Sequence, residues 1–397
     1  MVKVLISNIG IGNREKGYKT AKYEFNNKTK ETPFIAKALT EFLNVDKLFL
    51  VGTKKSVWDS VYEEFGGDEE KVLEIWDEIK SGGISEENLR VVEKQIDDFL
   101  ENKGSKCFVI NYGVNEKELW DNFLIFLNIL ENLKEGDEIY LDITHSFRSL
   151  ALMNFVMLEF GNTIKKKNIK VNGIFYGMLE YSWENNGITP IVDLKILFDL
   201  LEWIKAIDKF INYGSSEGFE SLLYDKDEKN FFKQFSLALQ IGNLAALRNN
   251  VKKSSKYLKY LQDSNSPIIK LLTPKIEEFI TLLNKKKESD FQLAVAKWFY
   301  MHKNYALSYI ALVESIVTKV CEMKRYNLKN ESDRKRAKKD IRKIDKILYR
   351  EIYGPANEVR NDIAHQLGKR SLNVLTDVTR LKTFLEKTEE IFKKIGD

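Results

Sequence analysis

The sequence predicts an α/β, Rossmann-like N-terminal domain followed by an all-α C-terminal domain, on three observations. The first half alternates short β-branched apolar runs with amphipathic helical segments, the pattern of strands crossing over through helices in a parallel sheet. Strand signals stop near Leu194, and the chain beyond carries helical periodicity. At 397 residues, the chain is longer than one hydrophobic core usually organises.

The elements follow in order. Val2 to Asn8 is an apolar strand ending in the glycine loop Ile9-Gly10-Ile11-Gly12-Asn13. Helical spacing covers Thr32 to Leu43, and a second strand, Lys47 to Val51, runs into Gly52-Thr53. Helices are predicted over Ser56 to Phe65, Glu69 to Ile79 and Glu86 to Leu100. A third strand, Cys107 to Ile110, precedes a helix over Glu116 to Leu133. A fourth, Glu138 to Leu141, enters Asp142-Ile143-Thr144-His145-Ser146-Phe147-Arg148 and the helix Leu150 to Phe160. Strands at Val171 to Tyr176 and Ile191 to Leu194 finish the sheet.

The second half opens with a Trp-containing helix, Leu197 to Phe210, then a polar break at Gly214 to Gly218. Phe231 to Leu261 reads as one long helix or two, interrupted at Ser264 to Pro267. Phe291 to His302 and Tyr305 to Cys321 are amphipathic helices. Lys324 to Lys346 holds eleven Lys or Arg against four acids, a solvated face or a track for an RNA backbone. The last helices are Pro355 to Leu367 and Leu372 to Ile395.

Composition excludes several classes. A net charge of +4 makes no whole-chain case for nucleic acid. Cys107 and Cys321 are too few and too distant for a disulfide framework or a zinc site, which suits a reducing cytoplasm. No apolar stretch approaches the ~18 residues of a membrane span, and Met1 to Ile6 runs into a strand with no signal-peptide pattern. A soluble cytoplasmic protein without a metal site is predicted.

Candidate site residues gather at two places. In a sheet of this kind ligands bind outside the carboxyl ends of the strands. There Ser7, Asn8, Ile9, Gly10, Gly12 and Asn13 offer small side chains and backbone N–H groups to a phosphate. Gly52 and Thr53 stand at the next strand end, and Thr144, His145, Ser146 and Arg148 at the start of a helix, whose dipole favours an anion. The pattern reads as a sensor for a phosphate-rich, nucleotide-like ligand. Without a third glycine, or an acid ending the second strand, it argues against a nicotinamide dinucleotide.

The second place is Glu358-Val359-Arg360-Asn361-Asp362-Ile363-Ala364-His365, which contains one of three histidines. His moves protons near neutral pH, and Arg matches a phosphate with a planar fork of donors. Asn361 and His365 share a helical face at i and i+4, whereas Arg360 lies about 140° round from His365.

These residues carry a resemblance. The chain resembles the CRISPR-associated CARF–HEPN ribonucleases of type III systems in four stretches: Ser7 to Asn13, Leu141 to Ser149, Gly173 to Gly177, and Arg360-Asn361-x-x-x-His365. Ser146 departs from the family, which often has Gly there. The resemblance implies a CARF-like sensing domain over 1–195, a helical connector over 196–285 and a HEPN-like ribonuclease domain over 286–397. It implies a homodimer activated by cyclic oligoadenylate, with the tetra-adenylate ring favoured over the hexa-adenylate. The implied activity is metal-independent cleavage of single-stranded RNA, with no other cofactor and no stable DNA complex. Arg360, Asn361 and His365 are the implied catalytic residues, with Asp362 in support. The resemblance also allows slow cutting of the activator by the CARF site. The alternative reading is a non-catalytic, ligand-controlled transcription regulator.

Overall fold

The computed structural model describes residues 2–12, 19–145, 148–163, 170–365 and 374–395, with the side chains of 148, 221 and 222 excepted. The chain divides into two compact units, Met1–Asp199 and Leu200–Asp397.

The first unit is built on an eight-stranded sheet. Its strands are β1 (Lys3–Ile9), β2 (Ala21–Phe25), β3 (Lys28–Thr32), β4 (Lys47–Thr53), β5 (Lys106–Ile110), β6 (Glu138–Asp142), β7 (Lys170–Gly177) and β8 (Ile188–Asp193). They lie in the order β3-β2-β8-β7-β6-β1-β4-β5. The pairs β7–β6, β6–β1, β1–β4 and β4–β5 are parallel, as the alternation with helices predicts. The sheet is nevertheless mixed. β8 runs antiparallel to β7, and β2–β3 is an antiparallel hairpin. Asn26 and Asn27 turn that hairpin at φ of 51° and 63°, the left-handed geometry that matches strand twist. The hairpin lies outside the sequence expectation because AKYEF alternates apolar and polar residues over only five positions and KTKET carries no apolar side chain. That composition is what an edge strand uses to resist further pairing.

Both faces of the parallel strands are covered, so β1 and β4 read as continuous apolar runs. Leu5, Ile9, Leu48 and Leu50 meet one layer of helices, namely α1 (Ile35–Leu43), α2 (Trp58–Glu64), α3 (Glu69–Ser81) and α4 (Leu89–Leu100). Val4, Ile6, Phe49 and Val51 meet α5 (Glu116–Glu131) and α6 (Arg148–Thr163) on the other face. After the β2–β3 hairpin at the far edge, the chain crosses to β4 and β5 beyond β1, then returns to β6 on β1's other side. That reversal leaves a crevice between the carboxyl ends of β1 and β6.

α7 (Lys195–Tyr213) contains the boundary between the units. The second unit is helical, with α8 (Lys226–Gln240), α9 (Leu244–Asp263), α10 (Pro267–Leu283), α11 (Glu288–Met301), α12 (Tyr305–Lys324), α13 (Glu331–Ile344), α14 (Gly354–His365) and α15 (Val374–Lys394). The ambiguous stretch is two helices, because Gly242 adopts φ of 66° and the Asn243 side chain accepts the Ala246 N–H, a stop followed by a start. Asp225, Asn304 and Asn330 cap α8, α12 and α13 in the same way. One core runs through the unit, rich in Phe210, Phe219, Phe232, Phe235, Phe279 and Trp298. The spans 196–285 and 286–397 both contribute to it.

Gly52 holds the β1–β4 packing close. A Cβ there would stand 2.6 Å from Ile9 Cγ1, 2.8 Å from the Trp58 ring and 2.9 Å from Ser56 Oγ. Gly52→Ala is expected to destabilise the first unit by about 1–3 kcal/mol, read as about 2–4 °C per kcal/mol in a thermal melt. Gly82→Ala, which meets nothing within 4 Å, serves as the control. Equal melting of the two variants would refute the packing role.

Candidate functional site

The crevice between β1 and β6 is organised by one carboxylate. Ser7 pairs with Asp142 in the β-ladder, and Asp142 is fully buried. A buried carboxylate must be hydrogen-bonded, and this one is. Ser7 Oγ donates to Oδ2 at 2.5 Å and the Thr144 N–H to Oδ1 at 2.9 Å. Burial still pushes the Asp142 carboxyl above its ordinary value, against the opposing pull of Ser7, Thr144 and His145. Burial pushes His145 the other way, below the ordinary His value, against the attraction of Asp142. His145 is therefore a neutral imidazole at neutral pH.

The network ties further strands to the site. Thr144 Oγ1 accepts the Gly177 N–H at 2.9 Å, binding the turn after β6 to the end of β7. His145 Nε2 lies 3.5 Å from the hydroxyl of Tyr23, a fully buried residue of β2. Asn8 Nδ2 reaches the Asp142 carbonyl at 3.4 Å, while its Oδ1 is buried with no partner among the described residues. The structure thus brings together Ser7, Asn8, Thr144 and His145. It adds Asp142, Tyr23 and Gly177, which the sequence reading did not single out. The signal for Asp142 was present, a lone acid closing an apolar strand.

The other crevice candidates divide. The carbonyls of Ile9 and Gly10 accept from Ser56 Oγ and the Val57 N–H, and Gly12 has φ of 64°. Gly52 and Thr53 belong to the packing of the turn after β4. Thr53 is buried, its N–H donates to Ser56 Oγ at 2.9 Å, and its hydroxyl lies 3.3 Å from the same atom. Asn13 and Ser146 lie outside the described residues. Arg148 is the first residue of α6, and its backbone alone is described.

In the second unit α14 carries the motif. Val359 is buried and Arg360 partly so. Arg360 Nη1 donates to Asn361 Oδ1 at 2.9 Å, holding the guanidinium against its neighbour. His365 is exposed at the helix end and has no hydrogen bond to Arg360, Asn361 or Asp362. A π-helical turn, Leu348–Tyr353, leads into α14, a distortion frequent at functional sites. Tyr353 stands two turns before Arg360 and shares its face. It is 7% exposed, and its hydroxyl has no hydrogen-bond partner among the described residues. Burial pushes this phenol above the ordinary Tyr value, while the Arg360 guanidinium pulls it down. Arg334 completes the surroundings, paired with Glu314 and donating to Thr318 Oγ1 and the Leu328 carbonyl, each at 3.3 Å. Along α13, Lys335, Arg336 and Lys343 also pair with the nearby acids Glu331, Asp333 and Asp340, so part of the basic run is neutralised locally.

Comparison with known proteins adds the following. Residues 4–180 match the family model for the CARF domain of CRISPR system endoribonuclease Csx1. Residues 199–289 match the model for the second domain of CRISPR-associated protein MJ1674. The CRISPR-associated protein MJ1674 of Methanocaldococcus jannaschii is 38% identical over 355 residues, covering 83% of this chain and 55% of that protein. The chain thus spans about half the length of the curated relative it matches. Enterococcus italicus Csm6, solved bound to cyclic hexa-2′-fluoro-hexa-dAMP, aligns over 99% of this chain and 94% of its own at 13% identity, with a TM-score of 0.40.

The depressed His145 makes stability sensitive to acid. The unfolded chain takes up the imidazole proton near 6.5, before the folded one does, so this contribution is complete above that value and drains as pH falls through it. Asp142 has the opposite sign, its contribution draining as pH rises from 3.8 towards its raised value. Melting temperature should therefore fall more steeply for the native chain than for His145→Gln between about pH 7.5 and 5.5, by about 2–4 °C per kcal/mol. Parallel curves would remove His145 from the buried network.

Proposed function

From the premise that this chain carries a CARF domain of the Csx1 kind, we propose a CRISPR-associated effector in which bound cyclic oligoadenylate switches on an endoribonuclease. The single observation that carries this reading is the match of residues 4–180 to the CARF domain of the CRISPR endoribonuclease Csx1. The crevice supports it. Asn8 presents a buried acceptor with no partner among the described residues, His145 a neutral imidazole, and the start of α6 an electropositive end. These suit the donors of adenosine and the charge of a phosphodiester ring. The ring is cyclic tetra-adenylate, with the hexa-adenylate second. A ring has symmetry, and a homodimer offers it two copies of the same groups. Asp142 beside His145 also supplies a protonatable pair for slow cutting of the bound ring. The segment Leu194 to Phe210, which contains the boundary between the units, is the proposed coupling element, and activation is a shift of population toward the cleaving state.

The ribonuclease reading rests on Arg360, Asn361 and His365. The nucleophile belongs to the substrate: the RNA 2′-hydroxyl attacks the adjacent phosphorus and loses its proton. The bond to the 5′-oxygen breaks, that oxygen takes up a proton, and a 2′,3′-cyclic phosphate and a 5′-hydroxyl result. DNA lacks the nucleophile. His365, exposed and with no ring hydrogen bond among the described residues, moves the protons, and Arg360 meets the charge that gathers on the phosphate. Asn361 holds the Arg360 fork through their 2.9 Å hydrogen bond, with Asp362 beside it. Arg360 and His365 stand about 140° apart round α14, so a second copy of the motif helix completes the set.

Cleavage of a fluorescent single-stranded RNA in EDTA, with and without cyclic tetra-adenylate, tests the reading. His365→Ala is expected to slow ring-dependent cleavage by about 10²–10⁴-fold. Arg360→Lys, which keeps the charge and loses the fork, should slow it by about 10–10²-fold. Cleavage that ignores the ring or survives His365→Ala would overturn the proposal. Silence with both rings, despite their binding, would leave a nucleotide-sensing regulator.

A further inference from the structure

The helical unit contains a groove of about 740 Å³ that takes no part in the ribonuclease proposed above. α11 and α15 form its walls, the end of α10 contributes Leu282, and α12 contributes one residue, Lys319. Its size falls within the range of small-molecule sites. The lining is largely apolar, through residues such as Leu293, Leu385 and Phe392, yet it carries five lysines against three carboxylates.

Lys319 is the anomaly. It is 4% exposed, and its neighbours on α12, Thr318 and Val320, are fully buried. Its ammonium lies 5.2 Å from the centroid of the Phe392 ring. It has no carboxylate and no hydrogen-bond partner among the described residues. Lys297, by contrast, is paired with Glu389 at 2.5 Å across the same groove. Taking an ammonium out of water is costly unless an opposite charge is supplied, and an aromatic face offsets only part of that cost. A hydrophobe of the same length would pack at this position without that cost. An unpaired cation on an apolar floor is the complement of an anion with an apolar body.

We propose that this groove binds an amphipathic anion, with a phosphate or carboxylate head on Lys319 and a flat or aliphatic body against Phe392, Leu293 and Leu385. The two sources of that chemistry are a mononucleotide and an aryl or fatty acid. The site is independent of RNA cleavage at Arg360, so neither reading stands or falls with the other.

The test uses the full chain and the aromatic sulfonate 1-anilinonaphthalene-8-sulfonate. Saturable binding to a single site per chain is expected, displaced by AMP if a nucleotide is the natural ligand and by decanoate if an acid is. Lys319→Met keeps the stem and removes the charge. It should weaken the sulfonate at least about tenfold, while the uncharged N-phenyl-1-naphthylamine binds as before. Ala294→Trp fills the groove and should abolish binding of both dyes. Without ligand, Lys319→Met should melt at or above the native temperature, because it removes an unpaired buried charge. Undiminished sulfonate binding by Lys319→Met, or by Ala294→Trp, would overturn the proposal. So would absence of saturable binding in the native chain together with a sedimentation shift in either variant, which would mean that a second copy covers the groove.

Discussion

The buried carboxylate of Asp142 is the constraint on which the first unit's crevice depends. A charge capable of forming there must be met by donors, and the two nearest come from different elements, Ser7 on β1 and the N–H of Thr144 in the turn after β6. Once the turn is bent to deliver that N–H, the Thr144 hydroxyl receives Gly177 from β7 and His145 is carried toward Tyr23 of β2. One satisfied acid thus positions groups from four strands at the point where the sheet reverses its order. Replacing it with an apolar residue would leave Ser7 and Thr144 with unmet donors, at the cost that orphaned buried groups carry.

This arrangement changes what the crevice offers a ligand. Ser7 and Thr53 look available in sequence, but their hydroxyls are engaged within the protein, with Asp142 and Ser56. Thr144 is likewise occupied by the Gly177 N–H, so its role is to hold β7 in place. Beside them stand an acceptor on Asn8, the neutral ring of His145 next to the Tyr23 hydroxyl, and the N-terminal end of α6. Such a set discriminates by hydrogen-bond pattern more than by charge, and it differs in kind from the charged fork of Arg360 on α14.

The legible part of the fold was the part whose periodicity comes from burial. β1, β4, β5, β6 and β7 are covered on both faces, so their apolar runs marked them out. The β2–β3 hairpin was not legible, since half its residues face water and its turn is Asn-Asn instead of a glycine pair. α10 was passed over because Pro274 interrupts its interior, although tertiary packing of Ile269, Ile276 and Phe279 overrides the proline. At the site, side chains with obvious chemistry stood out, namely His145, Arg360 and His365. Those that orient them did not. Tyr23 lies 122 residues from His145, and Glu314 and Arg334 reach the surroundings of α14 from other helices. Local pattern cannot report a partner brought in by topology. Asn154, buried on α6, has no partner for either amide atom among the described residues, and nothing in the packing explains it.

The buried Arg248 and half-buried Arg334 of the helical unit, unlike Lys319, each have a carboxylate partner among the described residues. Arg248 is 7% exposed, yet it donates to the carbonyls of Lys285 and Lys286, pairs with Glu288 at 3.3 Å and lies over the Phe291 ring. Arg334 divides its fork among a carboxylate, a hydroxyl and a carbonyl. Arg248 leaves Nε and Nη1 without a hydrogen bond among the described residues, yet each of these two arginines has a carboxylate within ion-pair distance. Glu386 and Glu389 already line the groove, and Glu389 is spent on Lys297. Among the described residues Lys319 keeps only an aromatic face, which sets it apart from Arg248 and Arg334. Proteins retain such exceptions where stability is traded for binding, and the concavity in front of Lys319 has the room that the proposed anion requires.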